Sequence, residues 1–530
     1  MEIEYLWRWI LDRSAERQKL KVGGQGASSR LAPAMQSGIS QSFPPTTKEG
    51  GSVPSRFNVG IDFGTSSTKV VIRDLIRRQS ILYYPNSTAP GYPSFCLPSC
   101  IALTADGRIL FGSEAELQKT GCRVLRSFKM CMACQHLATP CRGGCDPIAE
   151  TRGLRGTFVV RTGLPWLSEV SAQNICTLFL AWLIKEVKNH ISRTSGPGSD
   201  TKLTFNMCAP MDQFDHPAYT GFEKALFLGE KLSHSVTQGM SLRDGLAEAF
   251  EVERRHPSLP SEDLRRTAVI PETLAAIVAY VNAPVADEGL YGIVDVGAGT
   301  TDISFFRLSF LGEERRPRAA FYHAQSTPVG ADLVDHTLLR MISTNDASAF
   351  DQRAESSRPL QTIRLAKETL GREVEVTLSA LDGCPVLTRE QLNHAASPLG
   401  DRIAEARTQT WRRAFLKEMS LSRWRELHLF YTGGGARLAV IQNRLGARLH
   451  PTLPPVSVSK VYLGDAERLL EASGRTVDPH DADLLIVAYG LSFPRVEFPD
   501  YFLPGSVDAF HPIPPKKGLP SPEDVGYEEK

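Results

Sequence analysis

One short pattern occurs twice in this 530-residue chain, and it constrains the fold more than any other feature. Residues 291–306 form an apolar run broken once by a turn rich in glycine, threonine and aspartate. Ile293, Val294 and Val296, then Ile303, Phe305 and Phe306, predict two buried strands joined by Gly297, Ala298, Gly299 and Thr300. The polar groups therefore collect at the tip of a hairpin. Glycines there let successive backbone N–H groups point into one concavity that suits phosphate oxygens, and Thr300 and Thr301 add hydroxyl donors. Asp295 and Asp302 would repel a bare phosphate, so the pattern calls for a divalent cation between them and it. The simplest is Mg²⁺ keeping part of its water shell. Taken alone, the stretch also reads as an ordinary glycine-rich turn.

The same grammar stands upstream at residues 57–72. Val59, Ile61 and Phe63 alternate with Asn58, Gly60 and Asp62, after which Gly64, Thr65, Ser66 and Ser67 turn the chain into a second strand, Lys69 to Ile72. Two phosphate hairpins of one design imply two related half-domains facing a shared cleft. Asp62-Phe-Gly-Thr-Ser-Ser67 and Asp295-Val-Gly-Ala-Gly-Thr-Thr-Asp302 resemble the two phosphate motifs of the ATPase superfamily of actin, heat-shock chaperones and sugar kinases. The second hairpin is most similar to the heat shock protein 70 family. That resemblance implies an α/β, actin-like fold with two lobes of duplicated ribonuclease-H-like subdomains around a central nucleotide cleft. It implies ATP as the ligand and Mg²⁺ held by Asp62 and Asp295 through water. Phosphate contacts would come from Gly64, Thr65, Ser66, Gly297, Gly299, Thr300, Thr301 and Asp302.

Other stretches follow the family's order. Lys129, in Arg126-Ser-Phe-Lys-Met-Cys131, falls where the family carries a catalytic lysine, although a solvated surface lysine explains it equally well. Glu272 matches the family's glutamate on the water and Mg²⁺ side of the phosphates, but proline precedes it here instead of following. Its plain structural role would be a helix N-terminal carboxylate. Residues 328–332, with Gly330, resemble the turn that opens the fourth subdomain. Residues 363–370 resemble the adenosine-contacting helix and keep Lys367, whereas Arg364 and Gly371 replace the glutamate and serine of that pattern. A surface amphipathic helix explains them too. In residues 427–438 a strand, three glycines and a helix start would let Gly433 and Gly434 approach a nucleoside, with Arg437 stacking on its base.

With 42% hydrophobic residues and a formal charge of +1, the chain can bury cores in two or more domains and shows no charge excess that points to nucleic acid. No apolar run approaches the roughly 20 residues of a membrane span, and no signal peptide is visible, so a cytoplasmic address is expected. Seven of the ten cysteines lie between Cys96 and Cys145. Among them Cys131, Cys134, Cys141 and Cys145 have a spacing that can place four thiolates around Zn²⁺; unrelated reduced thiols are the alternative.

The expected organisation is a helix on a flexible tether (1–56), lobe I (57–284, with a Cys-rich insertion at about 86–165), lobe II (285–493) and a Pro-rich tail (494–530). The N-terminal helix would dock a partner or pack back on the body. The resemblance covers roughly residues 57–493, so no peptide-clamping domain is expected. The function implied is an ATP-hydrolysing, nucleotide-controlled, chaperone-like or regulatory switch acting on a protein partner or client. A filament-forming actin-like ATPase and a small-molecule, sugar-type kinase are the alternatives.

Overall fold

The recurrence in sequence reappears as a recurrence in topology. The computed structural model describes residues 55–118, 122–133, 159–164, 167–195, 201–214, 218–261, 265–342, 357–371, 373–379, 381, 385–461, 469 and 479–507. All of them lie in the unit Ile39–Lys530. Of the N-terminal helix and tether expected at 1–56, residues 1–54 lie outside the described residues, as do Cys134, Cys141 and Cys145 of the expected zinc cluster and the side chain of Cys131.

The main path of the first sheet is β1 (Arg56–Phe63), β2 (Ser67–Asp74), β3 (Gln79–Leu82), β4 (Lys202–Ala209) and β5 (Thr267–Pro271), in the order β5-β4-β1-β2-β3, and a sixth, two-residue strand, Leu97–Pro98, pairs with the start of β2. The second comprises β6 (Gly289–Val296), β7 (Thr301–Leu311), β8 (Arg316–Thr327), β9 (His428–Thr432), β10 (Ser457–Lys460) and β11 (Asp500–Phe502), in the order β10-β9-β6-β7-β8-β11. In each, an antiparallel hairpin (β1–β2, β6–β7) is extended on one side by an antiparallel strand and on the other by two parallel ones. Parallel pairs cannot be closed by a tight turn, so each needs a long crossover, and the helices supply it.

The helices that matter for the site are α1 (Phe128–Ala133), α2 (Ala172–Ser195), α3 (Glu272–Val281), α4 (Asp332–Ile342), α5 (Ser357–Leu370), α6 (Arg389–Phe415) and α7 (Ile486–Leu491). Seven of the eight β1 residues are buried, because helices cover both faces of the sheet. On one face Phe63 stacks on Phe179 of α2 with ring centroids 5.6 Å apart. On the other, α3 and α7 share one core with Val71 of the first sheet and Ile293, Phe306 and Phe430 of the second. The outer face of the second sheet buries Val294 and Phe305 against Leu399 and Trp411 of α6. That helix opens with a capping box between Thr388 and Gln391.

The small residues Ala275, Ala276 and Ala279 let α3 meet α7 at very short range. A Cβ placed on Gly490 would lie 1.8 Å from the carbonyl oxygen of Ala275, and one on Gly60 would lie 2.3 Å from that of Ala488. The carbonyls at the end of α7 need partners, and two buried asparagines of the first sheet provide them. Asn58 Nδ2 donates to the oxygens of Leu491, Ser492 and Phe493 at 3.2, 3.0 and 2.8 Å. Asn206 Nδ2 donates to Leu491 and Phe493.

One expected boundary is corrected. The Pro-rich tail was expected from 494, but residues 495–507 are part of the fold, and β11 pairs in parallel with β8 from Arg318↔Asp500 to Ala320↔Phe502. Pro499 and Pro504 flank this short edge strand instead of interrupting it, a position that proline tolerates. Among the described residues, no helix is long and apolar enough to cross a membrane.

Candidate functional site

The two glycine-rich hairpins form as their sequences require, and their tips meet. β6 pairs with β7 from Gly289↔Leu308 to Val296↔Thr301, and Gly297 N–H donates to the Thr300 carbonyl at 2.9 Å across the turn. In the first hairpin Phe63 faces Thr68, Gly64 N–H donates to the Asp62 carbonyl at 3.1 Å, and Ser66 accepts from Ser99 N–H. A Cβ on Gly299 would lie 2.3 Å from Met130 Sδ and 3.0 Å from Thr65 Cγ2, so Met130 of α1 sits between the tips. The Gly330 turn clamps the second tip: a Cβ there would lie 2.3 Å from the Ala298 oxygen, and Ala331 and Asp332 donate to the Gly297 and Ala298 carbonyls.

Below the tips, buried charge accumulates. Asp62 at the end of β1, Glu272 at the start of α3, and Asp295 and Asp302 opposite each other on β6 and β7 are the carboxylates. Lys129 Nζ lies 3.5 Å from Glu272 Oε2, and Lys69 Nζ 3.0 Å from Asp62 Oδ2. Burial, reinforced by Glu272 and Asp62 and opposed by Lys69 and Lys129, pushes the Asp295 carboxyl up to about 8. Burial together with Glu272, Asp212 and Asp295 raises Asp302 as well. For both lysines burial favours the neutral amine, yet Glu272 holds Lys129 and Asp62 holds Lys69 above the ordinary lysine range. Asp62, Glu272, Asp295 and Asp302 outnumber the Lys69 and Lys129 ammoniums by two when all are ionised, and Asp212 beside Asp302 adds to that negative excess. A divalent cation carries the complement, and an all-oxygen carboxylate set is the donor chemistry Mg²⁺ takes, so the residues present fit that ion.

The remaining expected residues are placed as follows. Thr301 is fully buried and donates its hydroxyl to the Val329 carbonyl at 2.8 Å, while Thr300 donates to Asp302 Oδ2 at 3.4 Å. Gly433, with φ 85°, presses on the second hairpin: a Cβ there would lie 2.4 Å from Asp295 Oδ1. Gly434 has no positive φ, and its nearest neighbour would be Leu484 Cδ2 at 3.6 Å. Lys367 pairs with Asp335 of α4 at 2.6 Å, and Arg364 with Asp332 and Asp335 while donating to the Tyr92 hydroxyl at 3.2 Å. Arg437 is held in a fork by Asp483, by Asp481 at 2.9 Å, and by Glu368 of α5 at 3.9 Å.

Sequence reasoning missed Lys69, Cys208 and Asp212. Lys69 was recoverable, because the tight turn at 64–66 puts Asp62 and Lys69 directly opposite each other as a cross-strand ion pair. The other two come from segments whose distance from the hairpins is set only by the sheet order.

Comparison with known proteins finds partial similarity to chaperones. The chain is 28% identical over 178 residues to the chaperone protein HscA of Edwardsiella ictaluri, covering 33% of this chain and 27% of that protein. It is 30% identical over 178 residues to the HscA homolog of Variovorax paradoxus, covering 33% and 27%. It is 29% identical over 219 residues to that of Haemophilus influenzae (strain PittGG), covering 41% and 33%. The chain thus spans about a third or less of the length of these curated relatives. No family model matches. HscA is a chaperone of the heat shock protein 70 type, so these distant similarities support the kinship that the hairpin motifs suggest.

Proposed function

We propose that this chain binds ATP with Mg²⁺ between its two hairpins, hydrolyses it, and works as a nucleotide-controlled, chaperone-like switch for a protein partner in the cytoplasm. The observation that carries the reading is the convergence of four carboxylates from β1, β6, β7 and α3 and two buried lysines from β2 and α1 beneath two touching glycine-rich tips. On this reading each sheet belongs to one lobe of an actin-like fold. Asp62 and Asp295 hold Mg²⁺ through its water shell, and the ion supplies charge neutralisation on the phosphates. Backbone N–H groups of Gly64, Thr65 and Ser66, and of Gly297, Gly299 and Thr300, receive phosphate oxygens. Glu272 and Asp295 orient the attacking water in line, and Lys129 balances charge on the transferred phosphoryl group. The Gly433–Gly434 turn and Arg437 form the nucleoside side.

The test is phosphate release from ATP and Mg²⁺ with no sugar present, with light scattering followed in parallel. The account expects slow release, flat scattering, and a loss of at least ~10²-fold in Asp295→Asn with nucleotide still bound. ATP-dependent scattering would favour a filament, and release only with a hydroxylated small molecule would favour a kinase. Normal hydrolysis by Asp295→Asn would refute the catalytic assignment.

A further inference from the structure

The magnesium reading uses oxygen donors alone and leaves Cys208 without a role. This residue lies near the end of β4, is fully buried, and directs its S–H at Asp62 Oδ1, 3.8 Å away. Asp62 divides its oxygens, since Oδ2 takes Lys69 and Oδ1 faces the thiol. Glu272, the first residue of α3, brings a third donor, and one ligand atom from each of Asp62, Cys208 and Glu272 lies within 4.8 Å of the other two. Parallel pairing fixes the set in place. β1 registers with β4 at Ile61↔Met207, and β4 with β5 at Ala209↔Pro271, the residue before Glu272.

A hard cation such as Mg²⁺ wants six oxygens and gains nothing from sulfur. A tetrahedral ion held by one thiolate and two carboxylates has S···O edges of about 3.6 Å and O···O edges of about 3.4 Å. The observed 3.8 Å between sulfur and oxygen is already close to that edge. We propose that Asp62, Cys208 and Glu272 form a three-ligand site for a thiophilic divalent cation of the zinc class, with the fourth position left for water or a phosphate oxygen. The thiol proton leaves to solvent as the sulfur–metal bond forms, and no electrons are transferred. Thiolate and two carboxylates against the dication leave one negative charge, which the neighbouring Lys69 and Lys129 ammoniums offset. Such an ion takes Asp62 and Glu272 away from the magnesium-dependent reaction and so opposes it. Only that last consequence rests on the ATPase reading; the binding itself does not.

The experiment is a titration of the full-length chain, stripped of metal and nucleotide, with Cd²⁺ as the probe. Bound metal is counted, and the ultraviolet thiolate-to-cadmium band is recorded. The Cys131–Cys145 thiols can also take Cd²⁺, so the readout is the difference from wild type. Cys208→Ser is expected to bind one equivalent fewer, Glu272→Gln to hold that equivalent at least about tenfold more weakly, and Cys96→Ser, a buried thiol outside the triad, to retain it. Excess Mg²⁺ should not displace it. Equal stoichiometry in wild type and Cys208→Ser, unchanged affinity in Glu272→Gln, or displacement by equimolar Mg²⁺ would each overturn the proposal. Glu272 is partly exposed, so its variant keeps the question answerable if Cys208→Ser does not fold.

Discussion

Gly433 and Gly434 are neighbours of one residue type, yet the structure gives them opposite tolerance. A side chain at Gly433 must adopt a left-handed backbone and occupy the space of Asp295 Oδ1 and the Val296 carbonyl. At Gly434 it meets only Leu484 at van der Waals distance. Gly433→Ala should therefore destabilise by more than about 1 kcal/mol, while Gly434→Ala stays within about 1 kcal/mol of wild type. Denaturant midpoints of the two variants check this; equal midpoints would contradict the geometry. At this scale the sequence spoke for residues inside a hairpin, such as Asp62, Gly64, Asp295 and Asp302, because turn chemistry and strand alternation are local. It did not separate Gly433 from Gly434, since both are glycines and only the backbone path decides which one takes positive φ. Nor did it reveal that the Arg437 fork is spent on Asp481 and Asp483, partners more than forty residues away.

The tightest join between elements is the crossing of α3 and α7, two short helices set between the two sheets. Gly490→Ala places a methyl carbon where the Ala275 carbonyl oxygen already lies, and overpacking of that kind should cost about 1–3 kcal/mol despite alanine's better helix propensity. Thermal melts of this variant beside Gly239→Ala, whose Cβ would meet nothing within 4 Å, separate packing from a general glycine effect. Gly239 has positive φ, so its variant carries backbone strain alone. A second element-scale expectation concerns β8 and α6. His323 of β8 is pushed down to about 4 by burial and by the Arg413 and Lys417 charges, and its Nε2 is buried with no hydrogen-bond partner. A depressed histidine binds fewer protons folded than unfolded, so its share of stability is full above about 6.5 and is lost as pH falls through about 4. His323→Gln should narrow the loss of stability between pH 7 and pH 4 relative to wild type in denaturant titrations; an equal loss in both would contradict the assignment. The small residues of α3 announced a close helix contact, but its partner could not be named from sequence. Proline content at 494–507 pointed to a tail, because composition registers missing donors and not the edge position that makes them harmless.

For the molecule as a whole, two sheets of like topology were legible from two like hairpins. Each hairpin dictates its own antiparallel pair, and the parallel strands beyond it need only crossover helices. The depth of buried charge between the hairpins was not legible, since it depends on β4, β5 and α3 coming beside β1. That convergence is also why the central claim is one site, not two. The measurement that tests it most directly is the melting temperature of the wild-type chain with ATP and Mg²⁺, compared with ATP and chelator. At one hundred times the dissociation constant a ligand bound only by the native state adds about 2.7 kcal/mol, which raises the melting temperature of domains this size by several degrees. The account predicts such a rise with ATP and Mg²⁺, a smaller one with chelator, and none in Gly433→Val. No rise in the wild type with any nucleoside triphosphate would contradict it.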